Sequence, residues 1–343
     1  PRGLSYIAKE ALKRKVDFGI WLEPEMVNPQ SELYQKHPDW IITQPKRTPI
    51  LGRHQEILDL TRPEVQAFEW QVIDKTLRPN PDISYVKWDC NRYITQPGSG
   101  YLQPAEQSHL WIDYNWALYR LMERFSKEFP NVMAMLCAGG SGRVDYGALP
   151  YFHSFWPSDN TDPLGRIKIQ WGFSHFFPAS TISAHVTRMG KRHLKLAIDV
   201  ALSGAFGIDL ALDKATAEER VQIADAVKLY KASIRPLVMQ GELYRLVSPY
   251  EHPMASLSYV STDKNDAVVY LYQIQDGSVP QVILGGLDAR KNYRVEEVGL
   301  PKGSTSRFPG HGKIFSGAEL MSTGIANPLN AQFESAILLL KTQ

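Results

Sequence analysis

"YVKWDCNRYITQPGSG", residues 85–100, places Lys87 and Asp89 two residues apart inside an apolar, aromatic run. The run reads as a strand. A buried strand carries charges only where something uses them, because desolvating an unpaired charge is costly. Residues i and i+2 of a strand share a face, so Lys87, Asp89 and, by continuation, Asn91 point one way. Trp88 points the other way, toward a helical layer. A lysine beside an aspartate holds the carboxylate ionised at neutral pH. An ionised, positioned carboxylate at a strand's end can act as a nucleophile. The rival is a buried structural ion pair, which is what an isolated Lys-x-Asp more often turns out to be.

Outward from this strand, residues 1 to about 240 alternate between helix and short strand. Helical patterns fall at 4–15, 63–78, 104–129, 163–177, 190–203 and 214–235. Strands fall at 18–25, 85–91, 132–140, 151–160, 183–187 and 206–212. Repeated strand–helix units of this kind argue for a parallel sheet. Chemistry-bearing residues at strand C-termini favour an α/β fold of the (β/α)₈ TIM barrel type over an open doubly wound sheet. The count is six strands, two short of a full barrel. After about 250, short alternating or β-branched segments separated by Gly, Asp and Asn turns carry the signature of an antiparallel β-sandwich. The expected domains are therefore a catalytic barrel over 1–250, incomplete at its N-terminus, and a C-terminal β-sandwich over 251–343.

The bulk numbers exclude several classes. The chain has 343 residues, 43% hydrophobic and 22% charged, with a net charge of +2. That is an ordinary globular composition, with no electrostatic pull toward nucleic acid or membrane. No apolar run reaches the length of a membrane span. Two cysteines, Cys90 and Cys137, make no disulfide framework and lack zinc spacing. His37, His109, His153, His185 and His252 are scattered without metal-ligand spacing, so no metal and no cofactor are expected. Eight Trp and sixteen Tyr suit a core and also a sugar cleft, where ring faces stack on C–H faces. Pro1 is not a natural start, so the lack of a visible secretory signal carries no message. Cytoplasmic and periplasmic locations both stay open.

A second acidic locus is "FWPSDNTDPLGRIKIQWG" (155–172). Asp162 fits a helix cap, with Pro163 in the first turn. Asp159, after Trp156 and Pro157, is left without a capping job. A carboxyl beside apolar aromatics has its pKa raised, as a general acid requires. One ionised and one protonated carboxyl are the equipment for glycoside cleavage. In "LCAGGSGRVDYG" (136–147), glycines after a strand allow a ligand to approach the backbone closely. The run lacks the Lys-Ser/Thr ending of a phosphate loop. Arg143 and Asp145 are expected to brace this loop as a pair, and Cys137 to line a pocket. In "GIWLEPEMVN" (19–28), Glu23 and Glu25 share a strand face and read as bracing groups behind the site. Arg53, on a loop, reads equally as a ligand group and as a solvated side chain.

Taken together, "FGIWLEPEMVNPQSELYQKHPDW", "GRHQEILDL", "YVKWDCNR", "CAGGSGRVDYGAL" and "FWPSDNTDPLGRIKIQWG" resemble glycoside hydrolase family 36, the bacterial-type α-galactosidases. The resemblance spans most of residues 4–240 and implies a retaining exo-α-galactosidase. It implies Asp89 as nucleophile and Asp159, the first aspartate of "SDNTD", as general acid and then base. Such carboxyls stand about 5–5.5 Å apart in retaining enzymes. By the same resemblance Lys87 contacts ring hydroxyls, Trp21 and Arg53 line the galactose pocket, and Cys137 and Gly140 lie near the sugar's hydroxyls, with Trp156 also on the substrate side. The implied partner is an α-galactoside oligosaccharide or polysaccharide. A homo-oligomer is in keeping with such relatives, although no sequence feature fixes one. An α-N-acetylgalactosaminidase and a non-catalytic glycan-binding relic are the alternatives. The tight Cys-Ala-Gly-Gly wall favours a bare 2-hydroxyl.

There is one departure. The family's Asp-Asp-Gly-Trp block on an earlier strand is absent, and the sequence holds no Asp-Asp pair. The chain is therefore expected to enter at the helix before the third barrel strand, which accounts for the strand count. A barrel lacking two strands exposes two edges, so this stretch alone is expected to be poorly stable or inactive.

Overall fold

The computed structural model describes residues 2–277 and 279–343. The chain divides into two compact units, Pro1–Trp156 and Pro157–Gln343.

In the first unit, helices and strands alternate: α1 (Gly3–Leu12), β1 (Phe18–Leu22), α2 (Pro63–Leu77), β2 (Ile83–Trp88), α3 (Leu110–Glu128), β3 (Met133–Leu136) and β4 (Ser154–Phe155). The strands form one parallel sheet in the order β1-β2-β3-β4. Helix α3 shows why. Leu110, Tyr114, Ala117, Leu118, Leu121, Met122 and Phe125 are its buried residues. Their three-and-four spacing makes one apolar stripe. Helix α2 starts at Pro63, whose fixed φ and missing N–H suit a first turn. Strand β2 buries Ile83, Val86 and Trp88.

The second unit continues the alternation with α4 (Pro163–Phe173), β5 (Ser183–Val186), α5 (Leu194–Ala201), β6 (Ala205–Ile208), α6 (Ala217–Leu229) and α7 (Arg235–Gln240). Strands β5 and β6 pair in parallel. A capping box of Thr216 with Glu219 starts α6. A wide turn of π-helix over Tyr230–Ile234 links α6 to α7 just ahead of Pro236, which has no N–H to offer a regular helix. All six expected parallel strands are present.

The antiparallel part holds β7 (Glu242–Val247), β8 (Met254–Val260), β9 (Asp266–Gln273), β10 (Asn292–Val298), β11 (Ile314–Ser316) and β12 (Ser335–Thr342), in the sheet order β11-β10-β12-β9-β8-β7. It begins at Glu242, ahead of residue 251. The edge strand β7 is only partly buried, which left its pattern weak in sequence. Every residue of β8 is buried, and every residue of β9 except Asp266. Two covered faces explain this. Leu257, Tyr259, Val268 and Tyr270 pack against the α5–α7 helices, whereas Val269, Leu271, Leu338 and Leu340 pack with Val282, Leu284, Leu320 and Ile325. The second β layer is a short ribbon, Gln281–Val282 against Ile325–Ala326, instead of a full sheet.

Three tyrosines of the sheet serve helix α5. Tyr259, Tyr270 and Tyr272 donate their hydroxyls to the carbonyls of Ser203 (2.8 Å), Leu202 (2.8 Å) and Asp199 (3.1 Å). The last carbonyls of a helix have no partner within it, so these bonds satisfy groups that would otherwise be buried unpaired. Asp199 itself is buried and binds Lys195 (2.5 Å) and Ser335 (2.7 Å). Burial still leaves its carboxyl above the usual range, although Lys195 and Ser335 pull it down.

Candidate active site

Asp89 follows the last residue of β2, and its amide donates to Leu22 O of β1 at 2.8 Å. It is only 3% exposed. Oδ2 accepts from Trp21 Nε1 at 2.9 Å, and Oδ1 accepts from the Cys90 amide at 2.8 Å. Burial alone would raise its pKa. Hydrogen bonds from Trp21, Asn91 and Cys137 and from the Cys90 amide outweigh it, so the carboxyl sits below the usual aspartate range. Lys87 Nζ lies 3.9 Å from Oδ2. The sequence reading credited Lys87 with keeping Asp89 ionised. The structure gives that task to directed donors and leaves lysine a longer-range helper. Lys87 Nζ also stands 5.1 Å from the centre of the Trp156 ring, a cation–π contact.

Trp156 is buried with Met135, Cys137 and Tyr85. Cys137 follows β3 and donates its amide to Trp88 O at 2.8 Å. Burial pushes its thiol up to about 12, and its bond to Asp89 works in the same direction. It is therefore a thiol at neutral pH, and the role of thiolate nucleophile is closed to it. Gly139 and Gly140 have φ of 60° and 105°, a conformation that favours glycine. The turn they make is closed by Ala138 N donating to Gly140 O (2.8 Å) and Gly139 N donating to Asn91 Oδ1 (3.2 Å). Trp21, Lys87, Asp89, Asn91, Cys137 and the glycine turn thus form one cluster.

A partly buried layer of acids and their donors fixes their positions. Glu23 accepts from the Asn91 amide (2.8 Å), Asn91 Nδ2 (2.9 Å) and Gln55 Nε2 (2.8 Å). Glu25, fully buried, accepts from Trp88 Nε1 (3.0 Å), Tyr114 OH (2.6 Å) and Arg143 Nη1 (2.6 and 2.7 Å). The expected Arg143–Asp145 pair is not formed: Arg143 reaches across to Glu25, and Asp145 instead accepts from Tyr119 OH at 2.6 Å. Glu69 of α2, unnoticed in the sequence, joins this layer fully buried, with both oxygens lacking a hydrogen bond. Burial, then the nearness of Glu25, pushes its carboxyl well up, against the pull of Arg143. The signal for it was a glutamate within the buried stripe Val65–Trp70–Ile73.

Two sequence candidates are exposed. Arg53 is exposed at the tip of a tight turn closed by Gly52 and Gln55, with φ of 54°, and His54 beside it has φ of 60°. Asp159 belongs to the second unit and is exposed. Asp162 does occupy the residue before α4, but its side chain makes no capping bond. Among the described residues no group of three or more His, Cys, Asp or Glu side chains is placed to hold a metal ion, and no helix is long and apolar enough to cross a membrane.

Removing the Trp21 donor has a signed consequence. Trp21→Phe raises the Asp89 pKa, because an ionised carboxylate loses a hydrogen bond made to its charged form. An NMR titration of the Asp89 carboxyl should show its midpoint moving to higher pH, while Trp21→His, which can donate, should restore part of the shift.

The sequence profile of the Melibiase family matches residues 1–241, and that of the glycosyl hydrolase family 36 C-terminal domain matches residues 254–340. The chain is 38% identical over 337 residues to alpha-galactosidase AgaA of Geobacillus stearothermophilus, covering 96% of this chain and 44% of that protein. It is 35% identical over 338 residues to alpha-galactosidase 1 of Pediococcus pentosaceus, with the same coverage. The crystal structure of AgaA superposes with a TM-score of 0.91 at 37% identity, covering 100% of this chain and 47% of that one. A structure of an AgaA variant in complex with raffinose gives the same TM-score at 36% identity. The chain therefore spans about half the length of the relatives it matches.

Proposed function

From the premise that this chain belongs to glycoside hydrolase family 36, we propose that it carries the catalytic carboxylates of a retaining exo-α-galactosidase acting on terminal α-linked galactose of oligosaccharides or polysaccharide side chains. The observation that carries the reading is Asp89: a buried carboxylate at a strand end, kept below the usual range by Trp21, Asn91, Cys137 and the Cys90 amide. A nucleophile must be ionised and aimed, and these donors do both. Raffinose and stachyose bound to AgaA variants support the substrate class.

The double displacement runs in two steps. Asp159 gives its proton to the glycosidic oxygen as that bond to the anomeric carbon breaks. Asp89 attacks the same carbon from the opposite face and forms a β-linked galactosyl ester. Asp159, now ionised, takes a proton from water. The hydroxide displaces Asp89, and galactose leaves with its α configuration. In this reading Lys87, Trp21, Arg53, Cys137, Gly140 and Trp156 surround the sugar. Lys87 offers N–H donors to ring hydroxyls, and Trp156 and Trp21 offer ring faces and edges. The two family profiles, ending at 241 and starting at 254, support a functional division near residue 250.

The test is covalent trapping. A 2-deoxy-2-fluorogalactosyl fluoride slows release of the ester more than its formation, so the full-length protein should gain one fluorogalactosyl group. Peptide mapping should place it on Asp89. An adduct on another residue, or none, would overturn the assignment.

A further inference from the structure

The turn that bears Asp159 is tied down on both sides of that residue. Ser158 O accepts from Arg166 Nη1 (3.1 Å), and Ser158 Oγ accepts from the Asn160 amide (3.0 Å). Asn160 Oδ1 accepts from the Asp162 amide (3.0 Å). Thr161 Oγ1 lies 2.9 Å from Thr187 Oγ1. The far end is held differently. Asp162 leaves its helix uncapped and turns its Oδ1 toward Arg192, whose Nε is 3.5 Å away. Both atoms are buried, and neither has a hydrogen bond of normal length.

Unusual backbone brings Arg192 there. Gly190 has φ of 74°, and a Cβ on it would come within 2.2 Å of Asp162 Oδ1. Lys191 has φ of 52°. On the other side of the guanidinium, Arg192 Cζ stands 4.4 Å over the ring of Phe333, whose own φ is 66°. A bulky residue in the left-handed region is strained and persists only where surroundings impose it. Phe333 sits just before β12 of the antiparallel sheet. Two residues other than glycine thus hold strained conformations so that one guanidinium lies between an aromatic ring and Asp162.

We infer that Arg192 is a positioning residue for proton donation: clamped by Phe333 of the C-terminal sheet, it fixes Asp162 and with it the turn that aims Asp159. This rests on the proposed role of Asp159 as the acid. The antiparallel sheet thereby takes part in the reaction without touching substrate. General acid help is worth about 10²–10⁴-fold, and small misplacement of a reacting group forfeits a large part of such help.

The experiment compares kcat/KM, which reads glycosyl transfer to the enzyme, for aryl α-galactosides whose leaving groups need more or less protonation. In the full-length protein, Arg192→Met should lower kcat/KM about tenfold for the unsubstituted phenyl galactoside and at most about twofold for the p-nitrophenyl one. Arg192→Lys keeps the charge and should recover part of the loss. Phe333→Leu loosens the clamp from its other side and should show the same discrimination, and it serves where Arg192→Met is poorly folded. An equal loss on both substrates, or no loss on either, overturns the inference. Asp159→Ala is the control: if it fails to discriminate between leaving groups, the proposed acid is wrong. If it discriminates and the Arg192 and Phe333 variants do not, only the positioning role falls.

Discussion

Asp89→Asn should lower kcat/KM for aryl α-galactosides by at least about 10⁴-fold, the scale on which loss of a nucleophile is felt. The side chain keeps its shape, and the Cys90 amide can still donate to its carbonyl oxygen, so a fold-dependent loss is not expected. What disappears is the attacking oxygen. In Asp89→Gly, which empties the space the carboxylate fills, azide, small and anionic, should enter on that face and restore part of the turnover, giving β-galactosyl azide. The Asp159→Ala variant should give the α-azide instead, because there the ester still forms first. Product stereochemistry read by NMR separates the two roles. Retained turnover in Asp89→Asn, or an α-azide from Asp89→Gly, would assign the nucleophile elsewhere. On the acid side of the pH profile of the unsubstituted protein, activity should fall only below the ordinary aspartate range, since Asp89 must be protonated to be silenced. Its lowered pKa also contributes stability above the unfolded value, which is lost as pH falls through the folded one.

Arg143→Met should cost about 3–5 kcal/mol in urea denaturation at neutral pH, the cost of stripping one partner from a buried ion pair. Glu25 would then face Glu69 with no cation, in a layer where Glu25 is fully buried. Glu69→Gln should act in the opposite sense. Glu69 is raised above its unfolded pKa, so its contribution is fully present below that unfolded value and declines as pH rises toward the folded one. Glutamine abolishes the decline. The variant should gain relative to the parent between acid and neutral pH, and a parallel pH dependence in both proteins would contradict this reading. A stability change below about 1 kcal/mol in Arg143→Met would show that Glu25 is satisfied by Trp88 and Tyr114 alone.

The sequence carried the strand grammar because alternation is local. Each parallel strand was found, and Lys87 and Asp89 were placed on one face because the period of a strand is two. What it could not carry was partnership across the sheet. Arg143 has an acid two residues away and chooses one 118 positions distant, since Glu25 lies behind the glycine loop in space. Asp89 has a lysine two residues away and takes a side-chain bond from Trp21, on the neighbouring strand. The tyrosines of β8 and β9 read as core and are core, but their hydroxyls belong to a helix end that no local pattern announces. Asp159 was picked out by motif, and it is exposed.

Those same hydroxyls bear on how such proteins can be recombined. A crossover between homologues at residue 250 would hand Tyr259, Tyr270 and Tyr272 to carbonyls of a stranger's helix, in a setting where a few tenths of an ångström decide whether a bond forms. A crossover between Trp156 and Pro157 respects the seam between compact units and keeps helix and sheet in one inheritance. For this molecule the natural cassette is the stretch from Pro157 onward, not the sheet by itself.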